Sequence, residues 1–136
     1  KKYKHVKKYI RAIYDQIQPD GFTKQDARFL VTTYGHQTET ILEYYNRRTK
    51  EDNATKLVLA ELEFGIVYEM IQNPMDFFIR RTGRLYFDID SVVTYLEPVL
   101  AYFKEVFKTD EETINRWRET IQNEIRLHSD FSLERA

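Results

Sequence analysis

The stretch from Ala60 to Asp90, AELEFGIVYEMIQNPMDFFIRRTGRLYFDID, limits the possible folds more than any other part of the chain. It is the densest apolar run, yet Glu69, Asp76, Arg80, Arg81 and Arg84 lie inside it. A carboxylate or guanidinium buried without a partner is strongly unfavourable, so these charges must pair or must face something. Asn73-Pro74 divides the run. Proline suits the first helical position and pushes the residue before it out of helical geometry. One helix is therefore expected to end near Gln72 and another to begin with Asn73 as its N-cap. Asp76 then sits in the first turn, at the positive end of that helix.

On both sides of this run, apolar residues recur at helical spacing. Tyr3, Val6, Ile10, Ile13 and Ile17 mark a first helix, which Pro19-Asp20-Gly21 ends. Thr23 and Asp26 have the spacing of a capping box for a second helix carrying Ala27, Leu30, Val31 and Tyr34. Gly35 is placed for a left-handed C-cap. Thr38 is the expected cap of a third helix bearing Ile41, Leu42 and Tyr45, followed by a polar loop over 49–55. A fourth helix is expected over 56–72, with Leu59, Leu62, Ile66 and Met70 on one stripe. Val58 and Phe64 lie on its other sides, which predicts packing on more than one face.

After Gly83, Leu85-Tyr86-Phe87 reads as a crossing segment to Asp90-Ser91. Those two are the expected caps of a helix over 92–107 with Val92, Leu96, Val99, Phe103 and Phe107 as its stripe. Pro98 in its middle predicts a kink, or two short helices. Thr109 with Glu112 reads as the capping box of a last helix faced by Ile114, Trp117, Ile121 and Ile125. The tail from His128 reads as frayed. Only four Gly and three Pro accompany ten Tyr and nine Phe, which favours helices over a sandwich or barrel. The expected fold is all-α: a single domain of six or seven helices, orthogonal or bundle-like.

Charge and composition exclude several functions. Net charge is −1 with 32% charged residues, so no overall field argues for nucleic acid or acidic lipid. Lys4, Lys7, Lys8 and Arg11 read as a solvated face, with an acidic lipid or partner as the sharper alternative. Arg47-Arg48 suits a negative helix end, and a phosphate grip is its alternative. The absence of Cys excludes disulfides and thiolate sites. His5, His36 and His128 have no ligand at metal-binding spacing, and Glu61 and Glu63 point to different helix sides. Gly21, Gly35, Gly65 and Gly83 are too far apart for a phosphate-cradling loop. No metal site, no cofactor-binding residue and no catalytic residue is expected here. Lys at position 1 and the basic first eight residues read as a piece of a longer protein.

The segments AELEFGIVYEM, NPMDFFIRRTG and LYFDID resemble the C-terminal domain of FAD-dependent glycerol-3-phosphate dehydrogenases and oxidases. In that family a Glu-bearing helix, here with Glu69, precedes a D-F-x-x-R-R-T signature, here Asp76, Phe77, Arg80, Arg81 and Thr82. The similarity extends from about Tyr9 to Ile125 and includes the Tyr34-Gly35 turn. It implies a helical cap over 1–127 with 128–136 as a tail, in a cytoplasmic enzyme that stands at the membrane surface in one alternative. Such a parent oxidises sn-glycerol 3-phosphate to dihydroxyacetone phosphate through FAD, with quinone or oxygen as acceptor. The cap's partner is then the flavin and substrate domain of the same polypeptide.

The resemblance marks Glu69, Asp76, Arg80, Arg81 and Thr82 as the candidate signature and interface. One arginine is expected to pair internally with Glu69, Glu63 or Asp88, and, as the resemblance implies, the other to face the flavin domain or the substrate entrance of the whole enzyme. Two rival readings use other features: a stand-alone helical adaptor with an aromatic groove, and a nucleic-acid binder built on the basic first helix and Arg47-Arg48.

Overall fold

Ile10, Ile13 and Ile17 fall on one face of α1 (Lys2–Ile17), and all three are buried. Val6, on the same stripe, is exposed. The computed structural model describes the backbone of residues 2–135 and the side chains of residues 4–129, so the side chain of Tyr3 lies outside it. The domain is all-α, with seven α-helices and no strand among the described residues. Within it the chain gathers into two compact units, residues 1–60 and 61–136.

In the first unit, α1 packs on α2 (Lys24–Tyr34). A 3-10 turn at Gln18–Asp20 and Gly21 at φ 99° separate α1 from α2. The capping box forms as its spacing predicts. Asp26 N–H donates to Thr23 Oγ1 at 3.1 Å, and Thr23 N–H donates to Asp26 Oδ2 at 2.8 Å. Ala27, Leu30, Val31 and Tyr34 are all buried. In α3 (Thr38–Arg47), Ile41, Leu42 and Tyr45 turn inward. The Tyr45 hydroxyl donates to Asp20 Oδ2 at 2.7 Å, and burial together with this bond pushes its pKa well up.

Two expectations in this unit are corrected. Thr38 does not cap α3. Gln37 holds that position without a side-chain bond, while the buried Thr38 hydroxyl donates to the Leu30 carbonyl at 3.1 Å. The buried hydroxyl is thus used to tie α3 to the backbone of α2, where leaving it unpaired would be costly. Gly35 has φ 58° but ψ −137°, so it opens a 3-10 turn and is not a left-handed helical cap. That backbone region is closed to L residues, and nothing lies within 4 Å of a Cβ built there. Gly35→Ala is therefore expected to destabilise by about 1–3 kcal/mol, entirely through backbone strain. Chemical denaturation checks this. An unchanged midpoint would show that the turn relaxes.

The fourth helix, α4 (Asn53–Glu69), gives its N-terminal half to the first unit and the rest to the second. It starts earlier than expected because Asp52 caps it, accepting from Thr55 N–H at 2.8 Å. This bond holds the Asp52 carboxyl below its ordinary pKa. Val58, Leu59, Leu62 and Phe64 are buried on several sides, as the all-round apolar pattern predicts. The helix ends at Glu69 instead of Gln72. Met70 adopts a left-handed backbone at φ 58°, which leaves it 76% exposed and off the expected stripe. Ile71 N–H then donates to the Gly65 carbonyl at 3.1 Å. A Cβ on Gly65 would lie 2.4 Å from Ile71 Cδ1, so this close approach explains the glycine inside the helix.

In the second unit, Asn73 caps as predicted, its Oδ1 accepting from Asp76 N–H at 2.9 Å. Residues Asp76–Arg81 form a π-helix. Gly83, at φ 65°, precedes the short α5 (Arg84–Phe87), a helical turn where the sequence suggested a crossing segment. The next helix, α6 (Ile89–Phe107), starts from Asp88 instead of Asp90-Ser91. Ser91 supplies the reciprocal bond, its hydroxyl donating to the Asp88 carbonyl at 2.7 Å. Pro98 sits inside one uninterrupted helix, so the two-helix alternative fails. The carbonyl deprived of its donor belongs to Thr94, an exposed residue open to water.

Val92, Leu96, Val99 and Phe103 are buried, whereas Phe107 is half exposed. The last helix, α7 (Glu111–Arg135), is capped by Asp110, which accepts from Thr113 N–H at 2.8 Å. Thr109 serves the end of α6 instead, its hydroxyl donating to the Phe103 carbonyl at 3.1 Å. α7 packs on α6 through Trp117, whose ring meets Phe103 edge-on at 5.3 Å. Arg118 reinforces this contact with bonds of 2.8 and 2.9 Å to Glu97, holding that carboxyl below its ordinary pKa. The helical backbone continues to Arg135. Most of the tail read as frayed, from Asp130 on, has side chains outside the described residues.

Candidate functional site

The D-F-x-x-R-R-T segment forms its own wide turn. Thr82 N–H and Thr82 Oγ1 both donate to the Phe77 carbonyl, at 3.1 and 2.7 Å, a five-residue spacing that an α-helix lacks. A π-turn gives up regular packing and occurs most often where a local geometry is needed. Here it points Phe77 and Phe78 fully into the core, with their rings 5.3 Å apart, while the charged residues turn outward.

The two arginines divide as neighbouring helical positions should. Arg81 Nε donates to Glu69 Oε2 at 2.5 Å, and both side chains are about a quarter exposed. The other oxygen, Glu69 Oε1, is buried with no hydrogen bond from a described residue, so Arg81 offsets most of the cost of burying this carboxylate. Arg80 is 81% exposed and lies 3.5 Å from Asp76 Oδ1. Glu69, Met70, Ile71, Asp76, Arg80 and Arg81 line an open cleft of about 430 Å³. Every ionised residue of the candidate set thus meets at one place, with Thr82 buried beneath it holding the turn.

Arg81→Ala should therefore cost about 1–3 kcal/mol, below the full penalty of breaking a buried pair because water reaches both partners. Arg80→Ala should cost about 0–1 kcal/mol. Thermal or urea unfolding of the two variants checks the asymmetry, and equal losses would contradict it.

One ion pair escapes the sequence. Arg84 Nη1 and Nη2 donate to Glu61 Oε1 and Oε2 at 3.3 and 2.8 Å, with the side chains 8% and 1% exposed. The Arg84 guanidinium also lies 5.6 Å from the centroid of the Phe77 ring. Asp88 is not the anchor, since its carboxylate is spent on capping α6. A signal existed. A helix apolar on all sides must bury whichever glutamate faces inward, and Glu61 sits between Ala60 and Leu62. Elsewhere, Arg48 binds Glu51 at 3.0 and 3.3 Å and Arg47 lies over the Tyr44 ring, so neither side chain of that pair is a bare cation.

Residues 2–114 match the family described as the C-terminal domain of alpha-glycerophosphate oxidase. The aerobic glycerol-3-phosphate dehydrogenase of Bacillus subtilis is 36% identical over 104 residues, which is 74% of this chain and 19% of that protein. The protein of the same name from Staphylococcus saprophyticus is 33% identical over 94 residues, 68% of this chain and 17% of its own. Among solved structures, glycerol-3-phosphate dehydrogenase from Bacillus halodurans, complexed with FAD, superposes with a TM-score of 0.73 at 29% identity. The match covers 90% of this chain and 25% of that one. The chain spans about a fifth of the length of these curated relatives.

Proposed function

The chain belongs to the family of C-terminal domains of alpha-glycerophosphate oxidase, and we propose that it serves as the helical C-terminal domain of an FAD-dependent glycerol-3-phosphate dehydrogenase. In that enzyme the secondary alcohol of sn-glycerol 3-phosphate loses two electrons and two protons to become the ketone of dihydroxyacetone phosphate. FAD accepts the electrons and passes them to quinone. Residues 1–127 act as a cap and 128–136 as its tail, with the flavin and substrate domain of the same polypeptide as partner. The cap supports and positions, and the flavin carries the redox step.

The observation that carries this reading is the superposition of 90% of the chain on a quarter of an FAD-complexed relative. The local chemistry agrees with a supporting role. Glu61, Glu69 and Asp76 are each engaged by an arginine, which suits holding a fold more than moving a proton. The purified chain mixed with FAD and glycerol 3-phosphate is expected to retain no flavin on gel filtration and to reduce no dye. The whole enzyme should do both. Stoichiometric FAD binding by the chain alone would overturn the cap assignment.

The family description names an oxidase, which favours oxygen as a second reading of the acceptor. Hydrogen peroxide formed in step with substrate consumption would select it, and electron transfer to a quinone analogue without peroxide would select the first. The quinone reading places a cytoplasmic enzyme peripherally at the membrane. Among the described residues no helix is long and apolar enough to cross one.

A further inference from the structure

We propose that Met70 is a site of reversible oxidation by hydrogen peroxide, and that the Arg80 guanidinium on the same cleft takes up the sulfoxide oxygen that Met70 gains. The inference concerns this chain's own side chains and stands independently of the domain assignment.

The chain has no cysteine and two methionines, so the thioethers of Met70 and Met75 are the groups that peroxide oxidises most readily. Their surroundings separate them. Met75 is half-buried, whereas Met70 is 76% exposed. The backbone enforces that exposure. The left-handed turn at Met70 lets Ile71 close on Gly65, and the Met70 side chain cannot return to the buried stripe of α4 without opening this contact. Oxidation follows access to the sulfur, so the fold directs it to Met70.

In the reaction a sulfur lone pair attacks one peroxide oxygen. The S–O bond forms as the O–O bond breaks, and the departing hydroxide takes a proton and leaves as water. Sulfur loses the two electrons that peroxide gains. The product is a polar sulfoxide, a stronger hydrogen-bond acceptor than the thioether it replaces. Met70 lines the same cleft of about 430 Å³ as Arg80 and Arg81. Arg81 is held by Glu69, but Arg80 is 81% exposed and stands 3.5 Å from Asp76 Oδ1. A guanidinium carries five N–H donors, so Arg80 has donors to spare for a new acceptor on this cleft. Where oxygen is the electron acceptor, the parent enzyme makes the oxidant itself, and the mark falls on the enzyme that produced it.

Peptide mass spectrometry after graded treatment with hydrogen peroxide tests the site, in the chain alone and in the whole enzyme. Met70 is expected to gain one oxygen about fivefold faster than Met75 in the folded protein, and the two should react equally fast in urea. A methionine sulfoxide reductase should restore the thioether. Equal rates in the folded chain, or a Met70 protected in the whole enzyme, overturn the site. Oxidation that the reductase leaves in place overturns its reversibility. The capture is read on the Arg80 Nε–H resonance of the chain. That resonance should shift on oxidation of the unaltered chain and of Met75→Leu, and stay in place in Met70→Leu. An Arg80 resonance that oxidation leaves unmoved in all three overturns the capture.

Discussion

Arg84→Ala is expected to destabilise the chain by about 3–5 kcal/mol, and Glu61→Ala by a similar amount, because each leaves the other's charge buried alone. Glu61 is 1% exposed, and the bidentate bonds of 3.3 and 2.8 Å from Arg84 are its charged partner. The pair itself need not be strongly stabilising, since bringing both ions out of water costs nearly as much as their attraction returns. The sharper test is therefore the double variant Glu61→Leu with Arg84→Met, which removes both charges at similar volume. It should recover most of the loss, and the two single losses should not add. Urea denaturation of the three variants measures this. Single variants that lose under about 1 kcal/mol would behave as a solvent-exposed pair and contradict the burial.

Phe77→Ala should be comparably damaging, at about 3–5 kcal/mol. The ring is fully buried, packs edge-on against Phe78 and lies beneath the Arg84 guanidinium, so its loss opens a cavity against both. The backbone of the same residue anchors the π-turn, accepting from the amide and the hydroxyl of Thr82. Thr82→Val keeps the shape and removes one donor, and it should cost about 0.5–1.5 kcal/mol. If Phe77→Ala also raises the exchange rate of the Thr82 amide, core packing is what winds the turn. Retained protection of that amide would mean the turn holds by its hydrogen bonds alone.

Where periodicity and turn chemistry act over one or two turns, the sequence was sufficient. The stripes of α2, α6 and α7, the Thr23–Asp26 box, and the Asn73-Pro74 start each follow from spacing and from what a side chain can reach locally. The caps of α6 and α7 were displaced by one or two residues. Asp88 competes with Asp90, and Asp110 with Thr109, and several acceptors near a helix start are nearly equivalent until the preceding chain is placed. Thr109 lost to Asp110 because its hydroxyl is turned back onto the Phe103 carbonyl of α6. That one arginine of the pair would be held by a carboxylate such as Glu69 was legible, because a charge inside an apolar run needs a partner; that Arg81 is the one bound to Glu69 came from the structure.

By itself, the sequence determined the all-helical class, the apolar faces and the glycine requirement after Tyr34, because these depend on the period of a helix and on backbone sterics. Tertiary structure decided three things. It matched Glu61 with Arg84 across 23 positions, a choice among several carboxylates that only spatial proximity can make. It turned Met70 out of its stripe when Ile71 closed on Gly65. It also wound Asp76–Arg81 into a π-turn, since burying both Phe77 and Phe78 needs a wider turn than local propensity supplies.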